Sequence, residues 1–334
     1  MSTSETSVAP RLSPGFVDMH VHGGGGASFQ SGAADDVTTA AAFHRRHGTT
    51  SLVASLVTAP VADLVTSVRR LAELATDGVV AGIHLEGPFP AGDFCGAHDP
   101  ELLRDPDPES LDLLLGAGAG HIAMITLAPE RAGGLDAVRR VVDAGSVAAI
   151  GHTAADYDTV GRAVEAGATV ATHLFNGMPS LHHRTPGPVA ALLEDERVVV
   201  ELINDGIHLH PAMLRLPFAA APGRTALVTD AISATGPGDG EVLLGELRVT
   251  VRDGQARLVD GGSLAGSVLT LDRAVRNAVA AGVPVLAALR AASTVPADAL
   301  GIGDRAGRIR VGAPADPVVL DERLEVVDVL SASG

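Results

Sequence analysis

Histidines and carboxylates recur in this sequence at points where an apolar run ends. His20 and His22 stand two residues apart, so on a β-strand both imidazoles would project from one face and could reach one point. Imidazole and carboxylate groups are side chains that bind zinc and related divalent ions. Polar residues that follow later apolar runs are Glu86, His152, His173, Asn204, Asp205 and Asp230. This pattern predicts a metal site assembled from segments that are far apart in the chain.

Glu86, His152 and His173 together form the strongest candidate ligand set. Each has a plainer explanation when taken alone, since a strand-end carboxylate is often a solvated rim charge and a lone histidine is often structural. Three protein ligands with one open position are, however, typical of catalytic zinc. Asp230 could serve as a general base, as a further ligand or as the cap of the segment that follows it. The joint pattern favours a catalytic metal centre.

The elements that must position these residues alternate between short apolar runs and Ala/Leu-rich stretches. Strands buried on both faces are almost continuously apolar, and eight of them interleaved with helices indicate an α/β fold, a TIM-like (β/α)8 barrel. Barrel enzymes carry their chemistry at the carboxyl ends of the strands, so the polar residues should ring one mouth. The predicted strands are residues 16–21, 50–57, 79–85, 121–127, 147–150, 168–172, 198–203 and 226–229. The predicted helices between them are residues 36–47, 61–74, 135–144, 157–166, 188–193 and 211–220.

The alternation of strands and helices changes after Asp230. Segments 247–251 and 256–259 flank Asp253-Gly254, a dipeptide typical of a hairpin turn. Two helical stretches, 269–281 and 284–292, precede strand-like runs at 309–311, 317–320 and 324–329. We therefore predict a barrel over residues 13–240 and 266–300, and a small β subdomain over residues 241–265 and 301–330.

Composition excludes several classes of function. The chain has 334 residues and a net charge of −16, whereas a nucleic-acid-binding protein needs a basic surface. The single cysteine, Cys95, excludes an intrachain disulfide and favours a reducing compartment. Residues 1–12 are polar and lack the apolar core of a signal peptide, and no apolar run reaches the roughly 20 residues that span a bilayer. We expect a cytoplasmic enzyme with neither nucleic-acid nor membrane partners.

The ordered set of candidate ligands resembles the amidohydrolase superfamily, and longer segments resemble its N-acetylglucosamine-6-phosphate deacetylases. The resemblance runs from about residue 12 to about residue 316, which is most of the chain. It implies hydrolysis of the acetamide of N-acetyl-D-glucosamine 6-phosphate to D-glucosamine 6-phosphate and acetate by metal-activated water, in amino-sugar catabolism or recycling. The segments that carry it are LSPGFVD (12–18), HLEGPF (84–89), GAH (96–98), THLFN (172–176), DGIH (205–208), VTDA (228–231) and SLAGS (263–267).

The resemblance also implies which residues hold metal. Glu86, His152 and His173 would bind the principal ion, and His20 and His22 would bind a second ion with Glu86 as the bridge. Zinc is the expected metal, with iron or another divalent ion as the alternative, and one or two ions per subunit.

The resemblance assigns the remaining candidates to catalysis and substrate binding. Asp230 would act as general base and then as general acid, and His208 would polarise the acetyl carbonyl. Arg184 would reach the phosphate of a substrate bound to the neighbouring subunit, which implies a homodimer, and a guanidinium suits bidentate phosphate binding. The residues expected to bind substrate are His98, Asn176, Gly177, Arg184 and His208.

One departure and two alternatives accompany this interpretation. The resembling family usually begins with β-strands that complete its small domain, whereas only eleven residues precede Leu12 here, so we expect an N-terminally truncated β subdomain. Another amidohydrolase, such as an N-acyl-amino-acid deacylase or a cyclic amidase, is one alternative. Cyclic amidases often use a carboxylated lysine, and all 24 basic residues of this chain are arginine. The other alternative is a catalytically silent barrel that binds a sugar phosphate.

Overall fold

A computed structural model of the chain describes residues 11–312 and 316–331. The polar segment up to residue 10 and residues 313–315 of the predicted subdomain lie outside the described residues. The strands are β1 Arg11–Ser13, β2 Phe16–Val21, β3 Gly23–Gly24, β4 Ala27–Ser28, β5 Thr49–Val57, β6 Gly82–Phe89, β7 Ile122–Leu127, β8 Val147–Ile150, β9 Val170–Ala171, β10 Val199–Ile203, β11 Thr225–Val228, β12 Gly240–Leu244, β13 Leu247–Arg252, β14 Gln255–Leu258, β15 Val318–Leu320 and β16 Val326–Val329. The helices are α1 Ala34–Arg46, α2 Val61–Thr76, α3 Pro108–Gly118, α4 Gly134–Asp143, α5 Tyr157–Glu165, α6 Gly187–Glu194, α7 Pro211–Ala220, α8 Leu271–Ala280, α9 Val285–Ala291 and α10 Thr294–Ala299.

Eight parallel strands form the predicted TIM-like barrel. They pair in chain order, from β2 through β5 to β11, and helices follow most of them. Their apolar side chains are buried on both faces, as expected for a parallel sheet enclosed by helices. Few of the buried side chains are aromatic, and Ala, Val, Leu and Ile fill most of the core. The eight predicted strands and the predicted fold class are confirmed.

Hydrogen bonds between the first and last strands close the barrel. The main-chain N–H of Asp230 donates to the carbonyl of His20 at 2.9 Å, and that of His22 donates to the carbonyl of Ala231 at 2.8 Å. The buried hydroxyl of Thr229 donates to Asp18 Oδ2 at 2.6 Å. Closure therefore brings Asp230 beside the two histidines of β2.

The strands outside the barrel form separate antiparallel sheets. Strands β12, β13 and β14 form one three-stranded sheet, while β1, β15 and β16 form another. The predicted hairpin is confirmed, and its turn residues Asp253 and Gly254 have φ values of 50° and 74°, which suit a type I′ turn. How these sheets divide into domains remains a prediction.

Two parts of the secondary structure differ from the sequence prediction. The predicted strand 309–311 is wrong, because these residues form a loop in which Ile309 and Val311 are exposed. Helices α3 and α10 were not predicted, although Asp107 caps α3 by accepting a hydrogen bond from the N–H of Ser110. Within residues 11–312 and 316–331, no helix combines the length and the apolar character needed to cross a membrane.

Candidate active site

The carboxyl ends of the barrel strands bring the predicted ligands together at one mouth. The candidate ligands form two groups. Within each group the donor atoms all lie within 4.8 Å of one another, and both groups include Glu86. The residues of the first group are Glu86, His152 and His173. The residues of the second group are His20, His22, Glu86 and Asp230. The structure thus gathers six side chains from the ends of five barrel strands.

Glu86 stands between the two groups and contacts both through its carboxylate oxygens. Its Oε1 lies 3.1 Å from His152 Nε2 and 2.9 Å from His173 Nε2. Its Oε2 lies 3.0 Å from His22 Nε2, which is also 3.1 Å from Asp230 Oδ1. Since Oε1 also lies 3.4 Å from His20 Nε2, the carboxylate contacts both groups and could be shared by an ion held in each.

The Nδ1 atoms of three ligand imidazoles are bound to acceptors on the protein. His20 Nδ1 lies 3.1 Å from Glu201 Oε2, His22 Nδ1 lies 3.2 Å from the carbonyl of Ser55, and His152 Nδ1 lies 2.9 Å from the carbonyl of Phe94. Carbonyl and carboxylate oxygens only accept, so each Nδ1 carries the proton. Each Nε2 then faces the mouth as the nitrogen available to an ion, which is the usual arrangement around a metal-binding histidine.

The facing nitrogens give a further test of whether a metal fits here. His152 Nε2 lies 3.0 Å from His173 Nε2, and His20 Nε2 lies 3.2 Å from His22 Nε2. Two such nitrogens can share only one proton, whereas a cation between them is bound by both lone pairs. Imidazole nitrogens with carboxylate oxygens form the donor set that zinc and related divalent ions prefer. The residues present therefore fit a divalent ion in each group.

The carboxylates make this part of the mouth favourable for positive charge. Burial alone would lower the pKa of His22, but hydrogen bonds to Asp230 and Glu86 raise it to about 9. Burial likewise opposes charge on His20, yet Glu86 and Glu201 hold its pKa well above the ordinary value. Burial raises the pKa of Glu86, but the neighbouring imidazoles, led by His20, lower it well below its usual range. The site is an electrostatic environment suited to a divalent cation.

Three of the site residues have an uncommon backbone conformation. His152, His173 and Asp230 have φ values of 47°, 26° and 51°. Residues other than glycine rarely adopt this left-handed region, and such strain concentrates at functional sites. Each turn redirects the chain directly after an apolar strand and aims its side chain into the mouth.

A cavity of about 290 Å³ opens onto the ligand groups. Predicted substrate-binding residues that line it include His98, Asn176, Gly177 and His208. Burial, followed by the nearby charge of His152, lowers the pKa of His98 to about 3, so its imidazole is neutral. His98 Nδ1 accepts from the N–H of Thr58 at 3.3 Å, which leaves Nε2–H as a donor at the cavity. The cavity can therefore offer a neutral donor beside the ligand groups.

His208 is paired with the carboxylate of Asp205, one of the strand-end residues predicted to ring the mouth. Its Nδ1 lies 2.7 Å from Asp205 Oδ2, and Asp205 Oδ1 accepts from the N–H groups of Ile207 and His208 at 2.8 Å each. Burial raises the pKa of Asp205, but its bonds to His208 hold it below the usual value. The DGIH segment therefore folds into a local turn whose carboxylate orients the His208 ring.

Arg184 lies outside the residues that line the cavity of its own chain. Its Nη1 is 2.7 Å from His183 Nε2, and the surrounding segment is exposed. The expectation that Arg184 reaches a neighbouring subunit therefore remains a prediction.

Sequence reasoning missed Glu201 as a component of the site. It lies inside β10, and its side chain contacts His20 and the backbone of His173. The signal was a single charged residue within the apolar run 198–203. Sequence reasoning also did not predict that Leu244, Ser263 and Leu264 would line the cavity wall.

Comparisons with known proteins agree on one family. The model of the amidohydrolase family matches residues 11–332. An N-acetylgalactosamine-6-phosphate deacetylase of Escherichia coli O157:H7 is 38% identical over 326 residues, 96% of this chain and 86% of the relative. An N-acetylglucosamine-6-phosphate deacetylase of Vibrio furnissii is 38% identical over 320 residues, 94% of this chain and 80% of the relative.

A solved structure of a protein from the same group is also similar to this chain. A mutant of N-acetyl-D-glucosamine-6-phosphate deacetylase from Mycobacterium smegmatis, in complex with N-acetyl-D-glucosamine-6-phosphate, is 48% identical to this chain with a TM-score of 0.94. The match covers 97% of this chain and 86% of that chain. The similarity thus extends over the whole barrel and the additional sheets.

Proposed function

This chain belongs to the amidohydrolase family, and we propose that it hydrolyses the acetamide of N-acetyl-D-glucosamine 6-phosphate. The products are acetate and D-glucosamine 6-phosphate, and the reaction serves amino-sugar catabolism or recycling. The observation that carries the proposal is the convergence of four imidazoles and two carboxylates at the mouth of a barrel that is 48% identical to such a deacetylase.

We propose zinc as the metal, with one ion held by Glu86, His152 and His173. A second ion would be held by His20 and His22, with Glu86 shared between the two groups. When bound, such an ion supplies Lewis-acid polarisation and lowers the pKa of a coordinated water to about 7. The donor types and the anchored Nδ1 atoms support both ion positions.

Asp230 is the proposed general base and general acid. Burial raises its pKa, but the charge of His20 and the hydrogen bond to His22 lower it below the usual value, so the carboxylate is ionised. An ionised carboxylate can take a proton from the attacking water and return it to the leaving amine. Because Asp230 belongs to the second ligand group, it is held where the reaction would occur.

His208 is the proposed donor to the acetyl carbonyl. Its Nδ1–H is used by Asp205, so Nε2 can donate as well only when the ring carries both protons. A preorganised donor aimed at the oxygen that develops negative charge stabilises the transition state. His98 Nε2–H supplies a second, neutral donor for a sugar hydroxyl.

The substrate phosphate is expected to lie beside Asn176 and Gly177 and to contact Arg184 of a neighbouring subunit. Mixing two inactive variants tests this directly. A dimer of one Asp230→Asn subunit and one Arg184→Ala subunit has one site with both Asp230 and a neighbour's Arg184. Recovery of up to half the activity in that heterodimer is expected, whereas no recovery would refute the contribution of Arg184 in trans.

The alternative amidohydrolase activities are less well supported. A cyclic amidase that uses a carboxylated lysine needs a lysine, and this sequence contains none. An N-acyl-amino-acid deacylase would not require a phosphate contact. A silent sugar-phosphate-binding barrel would have no use for the ionised Asp230 beside the ligand groups.

Acetate release from four substrates distinguishes these activities. The substrates are N-acetylglucosamine 6-phosphate, N-acetylgalactosamine 6-phosphate, unphosphorylated N-acetylglucosamine and an N-acetyl amino acid. We expect the highest kcat/KM for the first, with zinc measured in the same sample. A preference for the unphosphorylated sugar would refute the proposed phosphate contacts, and a preference for the N-acetyl amino acid would refute the proposed substrate.

We also propose that the enzyme works in the cytoplasm. Its single cysteine, Cys95, is free, which suits a reducing compartment. Fractionation of the natural host tests this, and recovery of the protein outside the cytoplasm would contradict it.

A further inference from the structure

Glu201 is a charged residue in a position that normally holds an apolar one. It lies within β10 between Val200 and Leu202, and its exposed fraction is 0%. Burying a carboxylate is costly unless it is hydrogen-bonded or paired with positive charge. The contacts of Glu201 therefore indicate what its carboxylate does.

The carboxylate of Glu201 binds one residue from each ligand group. Its Oε2 accepts from His20 Nδ1 at 3.1 Å and from the main-chain N–H of His173 at 3.1 Å. His20 belongs to the group that includes Asp230, and His173 belongs to the group that includes His152. Among the residues that the structure describes, Glu201 Oε1 has no hydrogen-bond partner. The polar contacts of this side chain are therefore directed at ligands.

The contact with His20 fixes which nitrogen faces the mouth. Since the carboxylate only accepts, His20 Nδ1 carries a proton, and Nε2 is the ring nitrogen left for an ion. His20 Nε2 lies 3.4 Å from Glu86 Oε1 and 3.2 Å from His22 Nε2. Without the acceptor at position 201, the ring could take the other tautomer, which cannot coordinate an ion through Nε2.

The contact with His173 acts on the backbone instead of the ring. His173 has a φ of 26°, and such strained residues persist only where their surroundings hold them. Glu201 holds this turn twice, because its main-chain carbonyl also accepts from the N–H of Leu174 at 2.9 Å. In the described part of the chain, His173 Nδ1 has no partner, so its ring lacks the kind of anchor that Phe94 gives His152.

We propose that Glu201 is a positioning residue shared by the two ion-binding groups. It orients His20 for one ion and holds the His173 turn for the other, so its loss weakens both ion positions together. This inference rests on the proposed metal centre but makes a claim of its own. Loss of the contact between Phe94 and His152, or of that between Ser55 and His22, would disturb one ligand group only. Loss of the Glu201 carboxylate would disturb both groups.

Zinc retention by full-length variants tests the proposal. Wild type, Glu201→Gln and Glu201→Leu are dialysed against a series of chelator concentrations, and zinc per chain is measured. Removing an outer contact of a metal ligand commonly weakens metal affinity by about 10–100-fold. We expect Glu201→Leu to lose affinity at both positions by about that amount. Glu201→Gln keeps a hydrogen-bond acceptor without the charge, so its zinc affinity should lie between those of Glu201→Leu and the wild type.

Asp272→Asn is the matched control. Asp272 is a buried carboxylate on α8 that pairs with Arg276 at 2.8 Å and does not line the cavity. Its loss should leave zinc retention unchanged. Co²⁺ absorption gives a second readout, because an altered ligand field at both positions is expected for the Glu201 variants and not for Asp272→Asn.

Several outcomes would overturn the proposal. Zinc retention at the wild-type level in folded Glu201→Leu, or in both Glu201 variants, would refute it. Loss of zinc from only one of the two positions would also refute it. If Glu201→Leu does not fold, Glu201→Gln decides, since wild-type affinity and spectrum in that variant refute the role. Absence of bound zinc and of deacetylase activity in the wild type would instead overturn the proposed function.

Discussion

Replacing Asp230 by asparagine separates proton transfer from ion binding. Asparagine has nearly the same size and tolerates a φ of 51°, so the turn and the N–H bond to His20 should persist. The amide cannot take the proton that the carboxylate takes. General acid–base catalysis contributes about 10²–10⁴-fold, so kcat should fall by that factor, or about 3–5 kcal/mol of barrier.

Ion binding should respond much less to this substitution. Asp230 is absent from the group of Glu86, His152 and His173, and that group should keep its ion. In the second group Asp230 Oδ1 lies 3.1 Å from His22 Nε2, and an amide oxygen can still accept there. At least one zinc per chain is therefore expected to remain.

The assay for Asp230→Asn follows acetate release under steady-state conditions, with zinc content measured on the same sample. Asp272→Asn serves as the control, because it removes a buried carboxylate away from the cavity and should keep wild-type kcat. A kcat within about 10-fold of wild type, with normal zinc content, would refute the assigned role of Asp230.

The remaining predictions concern one catalytic pair and two structural contacts. His208→Asn should lower kcat by about 10²–10³-fold and change KM little. Asp205→Asn should lower kcat by a smaller factor. An effect confined to KM would contradict a role of His208 in stabilising the transition state. Burial lowers the pKa of His44 from 6.5 to about 4, so its contribution to stability is complete above pH 6.5 and declines as the pH falls towards 4. His44→Gln should therefore flatten the decrease in Tm between those pH values, and an unchanged decrease would disprove this. Thr229→Val removes the 2.6 Å hydrogen bond to buried Asp18 and should cost about 1–3 kcal/mol in urea unfolding, whereas unaltered stability would argue against that contact closing the barrel.

The barrel and the cluster of candidate ligands at its mouth could be predicted because their signals are local and strong. Apolar runs that end in His152 or His173 identify both a buried strand and its functional end. The topology of a closed barrel then places Asp230 beside His20, although the two residues are far apart in the sequence.

The features that sequence reasoning missed depend on contacts between distant segments. Glu201 sits inside an apolar run, and only the folded barrel reveals that its side chain meets His20 and His173. Segment 309–311 has the residue types of a strand, but Ile309 and Val311 are exposed in the folded chain. Helix α3, by contrast, carries a local signal in the sequence, because Asp107 is a typical N-cap residue directly before Pro108.

Anomalous diffraction from crystals grown with zinc tests the metal centre most directly. We expect a peak about 2.0–2.2 Å from the Nε2 atoms of His152 and His173 and from an oxygen of Glu86, with a second peak near His20 and His22. Active enzyme whose crystals show no ion among Glu86, His152 and His173, or show the ion at another place, would contradict it.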